Sequence, residues 1–261
     1  MRNLKDKNGI CRLCGKQGVL SFEHTPPQAA FNKERVLEMD AKKILQDLQN
    51  LQSNLDKPVG LTVQKGSGGY TLCIPCNSNT GDWYASNYIA FARQGMSVAD
   101  ALGSNQGAAA NYKISPLNVL KHIVLMFLTA NPPEFASENS DLVGFVNDRN
   151  SQTLPRKHKF YIALCDMAVI KFTRQSGMTY LLKDGVEHLF SEIAYHPFVL
   201  LYSKDSQRPD DRLQKINYFR HYKYGEQVEI DLQLFSLPIV SPLPADYRTY
   251  SQIFPKDQSS G

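Results

Sequence analysis

Four cysteines form two Cys-x-x-Cys pairs, Cys11 with Cys14 and Cys73 with Cys76. Two such pairs supply the four thiolates of a tetrahedral shell, and zinc is the ion that this ligand set typically holds. In a reducing compartment, paired motifs of this kind favour a metal over disulfides. Because four thiolates leave no open coordination position, the expected zinc is structural rather than catalytic. The fifth cysteine, Cys165, lies in an apolar run and is expected in the core.

A second set of polar residues lies next to these pairs. Glu23 and His24 lie between them, and Asn77 directly follows the second pair. Histidine can accept a proton near neutral pH, and carboxylate and amide oxygens suit a hard divalent cation. These residue types fit the attack of water on an anionic phosphodiester. Strand alternation points Glu23 and His24 to opposite faces, unless the strand is irregular where it ends before Pro26.

The combined pattern resembles a known family. Cys11-x-x-Cys14, Glu23-His24-x-x-Pro27 and Leu72-Cys73-x-x-Cys76-Asn77 resemble the zinc-containing branch of the HNH endonucleases over roughly residues 10–85. The resemblance implies a zinc-stapled ββα-metal (treble-clef) module. It also implies that Glu23 and Asn77 hold Mg²⁺ or Mn²⁺ and that His24 activates a water.

Two positions depart from the family pattern. Glu23 stands where many relatives carry aspartate, and Gly68 lies near the place of the expected central asparagine. Asn32 is a candidate to orient His24 instead. Asn79 is the second choice of metal ligand if Asn77 only caps a helix.

The composition is that of a globular protein with a mildly basic charge. The 261 residues are 42% hydrophobic, and the net charge of +4 permits a nucleic-acid partner without requiring one. No secretory signal opens the chain, and the most apolar stretch, 119–128, is too short to span a membrane. We therefore expect a soluble cytoplasmic protein with no membrane partner.

Hydrophobic periodicity predicts an α+β protein in two parts. The first, 1–105, is the HNH-like module, with a strand at 19–22, a helical insertion at 36–55, a loop at 64–69 and a helix at 82–102. The small-residue stretch 103–111 is the expected boundary. The second part, 112–261, is expected to be a mixed helical and antiparallel β domain for targeting, sensing or dimerisation. Its predicted elements are helices at 117–130 and 135–147, strands at 160–172, 178–182, 198–202 and 228–234, and a proline-rich surface tail at 237–247.

Several basic groups have two interpretations. Six cations of the first part either follow a phosphate backbone or form an ordinary solvated surface: Lys16, Lys33, Arg35, Lys42, Lys43 and Lys65. The segment 217–224 interleaves basic and aromatic residues, which suits either single-stranded nucleic acid or, preferably, the edge of a core element. The remaining histidines lack metal-ligand spacing and are expected to be structural or exposed: His122, His158, His188, His196 and His221.

The leading hypothesis is a metal-dependent HNH endonuclease that hydrolyses phosphodiester bonds of nucleic acid, with DNA favoured over RNA. Defence against phage or foreign DNA is the expected setting, by family-level association only. The resemblance implies that one HNH centre cuts one strand, so a homodimer is one way to cut both strands. The alternative is a catalytically inert zinc-knuckle module that binds nucleic acid or protein. A zinc hydrolase is disfavoured because four thiolates close the zinc shell.

Overall fold

The chain has the predicted α+β composition, with helices and sheets built from both parts of the sequence. The computed structural model describes residues 8–38, 61–63, 66–103, 105–166, 174–175, 179–183, 186–205, 208–241 and 243–255. The first part contains, in chain order, β1 (Asn8–Ile10), β2 (Gln17–His24), β3 (Val36–Glu38), β4 (Leu61–Val63), β5 (Gly68–Cys73) and α1 (Ile74–Thr80). A π-helical turn, Gly81–Ala85, then leads into α2 (Ser86–Asp100).

Within the described residues, the second part adds four α-helices and most of the strands. Its elements are β6 (Gly107–Ile114), α3 (Pro116–Ala130), α4 (Pro133–Glu138), α5 (Ser140–Asn147), β7 (His158–Cys165), β8 (Arg174–Gln175), β9 (Thr179–Lys183), β10 (Val186–Tyr195), β11 (Phe198–Lys204), β12 (Gln214–Lys215), a 3₁₀ helix at Asn217–His221, β13 (Val228–Leu237) and α6 (Tyr250–Ile253).

The strands form one small and one large sheet, with β3 and β4 as a separate pair. The small sheet has the antiparallel order β1-β2-β5. The large sheet has the order β6-β13-β7-β11-β10-β8, with β12 paired to β7 and β9 to β10. Its pairings are antiparallel except that of β13 with β7.

Helix α3 forms the centre of the main hydrophobic core. It begins at Pro116, whose fixed φ suits a first turn, and ends before Asn131-Pro132. Its side chains from Pro116 to Thr129 are all buried, which is typical of a core helix covered on every side. Among the described residues, no helix is both long enough and apolar enough to cross a membrane.

The small sheet packs against the carboxyl end of α3. The last carbonyls of a helix have no partner inside the helix. The Arg12 guanidinium donates to the carbonyls of Leu128 and Thr129. The Thr25 hydroxyl lies 3.2 Å from that of Thr129, and the Asn147 amide donates to the carbonyl of Leu13 over 3.1 Å. These bonds join the two parts of the chain into a continuous buried cluster that contains Leu13, Leu72 and the residues of α3.

Several sequence predictions need correction. The predicted helix at 36–55 begins as strand β3, and 39–55 lies outside the described residues. The expected boundary 103–111 contains the start of β6, because its small residues fit against β13; a Cβ at Gly107 would lie 2.7 Å from the Phe235 ring. The predicted helix 135–147 is two helices, α4 and α5, broken at the buried Asn139.

The tail was also predicted wrongly as a surface segment. Prolines prevent it from joining a sheet ladder, but its apolar side chains still leave water. Leu237, Ile239 and Tyr247 belong to a second buried cluster, together with Tyr161 and Leu201 of the large sheet. Cys165 also lies in this cluster, which confirms its predicted core position.

The histidines of the second part were predicted to be structural or exposed, and those whose side chains are described are buried, half-buried or exposed. His122 and His158 are buried, His196 is half-buried and His221 is exposed. The side chain of His188 lies outside the described residues.

The buried His122 should make stability depend on pH. Its ring lies 5.0 Å from that of Tyr88, and both ring nitrogens lack a partner among the described residues. Burial lowers the pKa of His122 to about 3 from the ordinary 6.5. Between these values the unfolded chain binds a proton that the folded chain does not, so stability falls as pH decreases below 6.5. We expect His122→Phe to reduce the loss of stability between pH 7 and pH 5 by about 2 kcal/mol, measured by urea unfolding. The exposed His221→Phe is the control, and an unchanged pH dependence in His122→Phe would contradict the assignment.

Candidate functional site

The first cysteine pair lies in a tight turn between β1 and β2. The Gly15 N–H donates to the carbonyl of Cys11 over 2.8 Å, and the Cys11 N–H donates to that of Lys16 over 3.0 Å. Gly15 has a φ of +69°, a conformation that glycine adopts without strain. The turn thereby brings the sulfurs of Cys11 and Cys14 to one side.

The second pair lies at the junction of β5 and α1. Cys73 ends the strand and Cys76 lies in the first turn of the helix, where Pro75 is well tolerated. The four sulfurs lie within 4.8 Å of one another, and those of Cys14 and Cys73 are 3.7 Å apart. A tetrahedral ion with metal–sulfur bonds of about 2.3 Å requires sulfurs about 3.8 Å apart. The four thiols can therefore hold one metal ion.

The electrostatics of the thiols also suit a metal. Burial acts to raise the pKa of Cys11, but backbone N–H groups of Cys14, Cys73 and Leu13 stabilise the thiolate and lower its pKa to about 7. Burial, reinforced by the neighbouring thiols, raises the pKa of Cys76. A bound cation relieves this crowding because it binds thiolates rather than thiols.

We expect the purified protein to contain one tightly bound metal ion per chain, measured by elemental mass spectrometry. Cys73→Ser should lose the ion and unfold at a markedly lower temperature, because the site joins β5 and α1 to the turn at Cys11. Cys165→Ser is the matched control, since this cysteine is buried in the second cluster and should leave the metal content unchanged. Full metal content in Cys73→Ser would disprove the site.

Glu23 and His24 lie at the end of β2 and face opposite sides of the sheet. The strand continues to His24, with Glu23 paired to Gly69 and His24 to Gly68. The rings of Phe22 and His24 meet edge-on at 4.9 Å, as expected for neighbours on one face. The register irregularity lies between Ser21 and Phe22 and not at the strand end, so the alternation holds from Phe22 through His24.

The two glycines opposite this dipeptide let the two strands approach closely. Neither presents a side chain beside Glu23 or His24. A Cβ at Gly68 would lie 2.1 Å from the Glu23 carbonyl oxygen, so a side chain does not fit there. Close backbone approach therefore requires glycine at the position where the family pattern expects asparagine.

Asn32 holds the loops at this strand end through hydrogen bonds to their backbone groups. Its side chain is fully buried. Its amide donates to the carbonyls of Pro26 and Ser67 over 2.6 and 2.7 Å and accepts from the Ser67 N–H over 2.7 Å. These bonds fasten the loop that follows His24 to the loop that precedes Gly68. Gly66 completes this packing, because a Cβ there would lie 2.3 Å from the Asn32 carbonyl oxygen.

Asn77 reaches across from α1 to β2. Its amide donates to the Ser21 hydroxyl over 3.0 Å, and that hydroxyl donates to the Leu72 carbonyl over 3.0 Å. Asn77 thus contacts β2 two residues before Glu23. It is not a helix cap, since the cap of α1 is Cys73. Asn79, the second-choice ligand, is exposed.

A pocket of about 330 Å³ opens beside Asn77. Its lining residues come from β2, α1 and the following turn: Ser21, Ile74, Asn77, Ser78, Gly81 and Asp82. Sequence reasoning missed Ser21 and Asp82 as candidate site residues. No sequence signal pointed to them: the π-helical turn at Gly81–Ala85, a feature that often marks functional positions, is visible only in the structure.

Glu23 is the half-buried acid of this face. Burial raises the pKa of Glu23 to about 7 from the ordinary 4.5. A carboxylate that is costly to ionise gains most from a nearby cation, and the carboxylate and the Asn77 amide are both oxygen donors.

The six basic residues predicted to follow a phosphate backbone are described only in part. Lys16, Lys33 and Arg35 are exposed. The other three lie outside the described residues: Lys42, Lys43 and Lys65.

No protein-family model, curated protein or solved structure matches this chain. The resemblance to HNH endonucleases stays a prediction from the sequence pattern. Within the described residues, the four cysteines are the only group of three or more His, Cys, Asp or Glu side chains close enough to bind a metal.

Proposed function

We propose that this protein is a metal-dependent endonuclease of the HNH type, which hydrolyses phosphodiester bonds of nucleic acid and most readily those of DNA. The observation that carries the proposal is the position of Asn77. It directly follows the metal thiol Cys76, and it contacts the strand residue two positions before Glu23. The thiol site thereby holds α1 against β2 near Glu23, which supports a cation shared by the two proposed ligands.

Two different ions fit the two donor sets. Four thiolates in a tetrahedral arrangement favour zinc, in a closed and structural site. The oxygens of Glu23 and Asn77 favour Mg²⁺ or Mn²⁺. When bound, this second ion would neutralise charge on the phosphate and on the departing oxygen.

The proposed reaction is an in-line phosphoryl displacement, in which the attacking and leaving oxygens lie on opposite sides of the phosphorus. His24 would take a proton from water while the water oxygen bonds to phosphorus. The bond to the 3′ oxygen breaks, and its electron pair leaves with that oxygen. Because Glu23 and His24 face opposite sides of β2, both reach one phosphate only if it lies at the end of the strand.

An inert zinc-knuckle adaptor is the second candidate. The edge-on packing of His24 against Phe22 favours it, because such packing is also typical of a structural histidine. The two functions differ in metal content: the nuclease binds zinc and an exchangeable Mg²⁺ or Mn²⁺, whereas the adaptor binds zinc alone.

Cleavage assays test the proposal directly. Plasmid, linear duplex, single-stranded DNA and RNA are incubated with the protein and Mg²⁺ or Mn²⁺, or with no added divalent ion. We expect cleavage that requires the ion and falls at least about 100-fold in His24→Ala, because proton transfer to a general base is lost. Ser78→Ala, on an exposed residue of the same pocket, is the control. Cleavage that persists in His24→Ala would reject this active site, and no cleavage of any substrate would favour the adaptor.

Thermal unfolding of Glu23→Gln tests the second ion separately. Because the pKa of Glu23 is raised in the folded state, its contribution to stability is full below about pH 4.5 and is lost as pH rises through about 7. At pH 8 without added metal, the neutral variant should therefore unfold a few degrees higher than the wild type. Added Mn²⁺ should stabilise the wild type and not the variant. Glu229→Gln, on the exposed face of β13, should match the wild type in both conditions. Equal stabilisation of Glu23→Gln by Mn²⁺ would remove Glu23 from the site.

A further inference from the structure

Two segments of the second part carry only positive charge. Residues 149–160 and 212–225 contain eight lysines and arginines and no aspartate or glutamate, whereas the whole chain has a net charge of only +4. Lys157 pairs with Asp141 and Arg212 with Asp210, so we set these two cations apart. We name the six further cations of these segments the basic face: Arg149, Arg156, Lys159, Lys215, Arg220 and Lys223.

The fold brings the two segments side by side. Arg220 donates to the Leu154 carbonyl, and the Gln152 amide donates to the Tyr222 carbonyl over 2.8 Å. Asn217 accepts from the Phe160 N–H over 2.8 Å and donates to the His158 carbonyl over 2.7 Å. The cations therefore form one surface rather than two separate groups.

The cations of the basic face crowd one another. Lys215 pairs with Tyr161 across β12 and β7, and Lys159 lies two residues before Tyr161, so the two lysines are diagonal neighbours. Burial lowers the pKa of Lys215, and the charges of Lys159 and Arg220 lower it further. A set of neighbouring cations of this kind favours a polyanion whose charges are regularly spaced.

The aromatic residues of the same surface face inward. Phe219 is fully buried, and Tyr218, Tyr222 and Tyr224 are half-buried against the main core. The segment 217–224 is thus the edge of a core element, as the preferred interpretation held. Its rings are poorly placed to stack on bases, so the surface is suited to phosphates and carries little sequence preference.

The basic face adjoins the candidate site. Arg149 lies over the ring of Tyr224, whose hydroxyl donates to the carbonyl of Trp83, the residue after Asp82 of the pocket. Asn147, two residues before Arg149, donates to Leu13 between the first two metal thiols. A polyanion on the basic face can therefore continue towards Asn77 and Glu23.

We propose that the basic face binds the phosphate backbone of nucleic acid and delivers it to the candidate site. The partner is the substrate of the proposed nuclease, and in that respect the inference rests on the proposed function. Binding itself requires neither cleavage nor the second metal ion.

Binding measurements in a His24→Ala background test this inference without cleavage. Fluorescently labelled duplex and single-stranded DNA are titrated at several salt concentrations with no added divalent ion. Lys215→Gln/Lys223→Gln should bind on the order of tenfold or more weakly at 0.1 M salt. The slope of log affinity against log salt should be lower by about 1.4–1.8, as expected for two lost phosphate contacts. Both side chains are exposed, so the variant should remain folded, which its metal content and melting temperature verify.

The control is Arg93→Gln/Lys113→Gln, which removes the same charge from exposed positions of α2 and β6. Its affinity should stay within about twofold of that of the His24→Ala parent. Its slope of log affinity against log salt should stay within about 0.3 of the parent's slope. Equal losses in both variants would show a net-charge effect and overturn the basic face. No binding of either nucleic acid, or binding only to vesicles of anionic lipid, would also overturn it. Cleavage in the earlier assays together with unchanged binding by Lys215→Gln/Lys223→Gln would reject this surface while leaving the nuclease intact.

Discussion

The convergence of four thiols is the constraint on which the candidate site depends. Cys14 and Cys73 are 59 residues apart in sequence and 3.7 Å apart at their sulfurs. A cation at this point would fix the turn after β1, the end of β5 and the start of α1 at once. Closing a long loop adds little to the entropic cost, so the wide separation of the pairs in sequence is no obstacle to the site. The proposed catalytic residues lie on α1 and on β2, the strand that follows the turn.

The second constraint is the carboxyl end of α3. Its last carbonyls accept from Arg12, a residue between Cys11 and Cys14, so the small sheet and the main core share one junction. The half-buried guanidinium would be costly without these acceptors. Loss of a metal held by the thiols would therefore disturb packing around α3 as well as the candidate site. The predicted division at 103–111 does not show this coupling, because a pattern of small residues says nothing about which surfaces later pack together.

The candidate site is built on loops and strands that pack closely. Asn32 fastens the two loops behind His24, and Gly68 allows the strands to approach closely. Glu23 remains partly desolvated, which raises its pKa and makes a cation favourable there. The basic face lies beyond Trp83, outside the stretch that resembles HNH endonucleases. Recognition and chemistry would thus be divided between the two parts of the chain.

The sequence by itself determined the features that depend on local chemistry. The Cys-x-x-Cys spacing, the proline-started helix α3 and the alternating strand β13 were all predictable, because each is fixed by residue types a few positions apart. Only the tertiary structure decided how distant segments meet. Long-range packing brings Arg12 to the end of α3 and Ser21 to Asn77. It also lets Asn32 join two loops, and it places 149–160 beside 212–225. Strand β6 was missed for the same reason: its alanines become a strand only because β13 supplies the partner backbone and Phe235 covers Gly107.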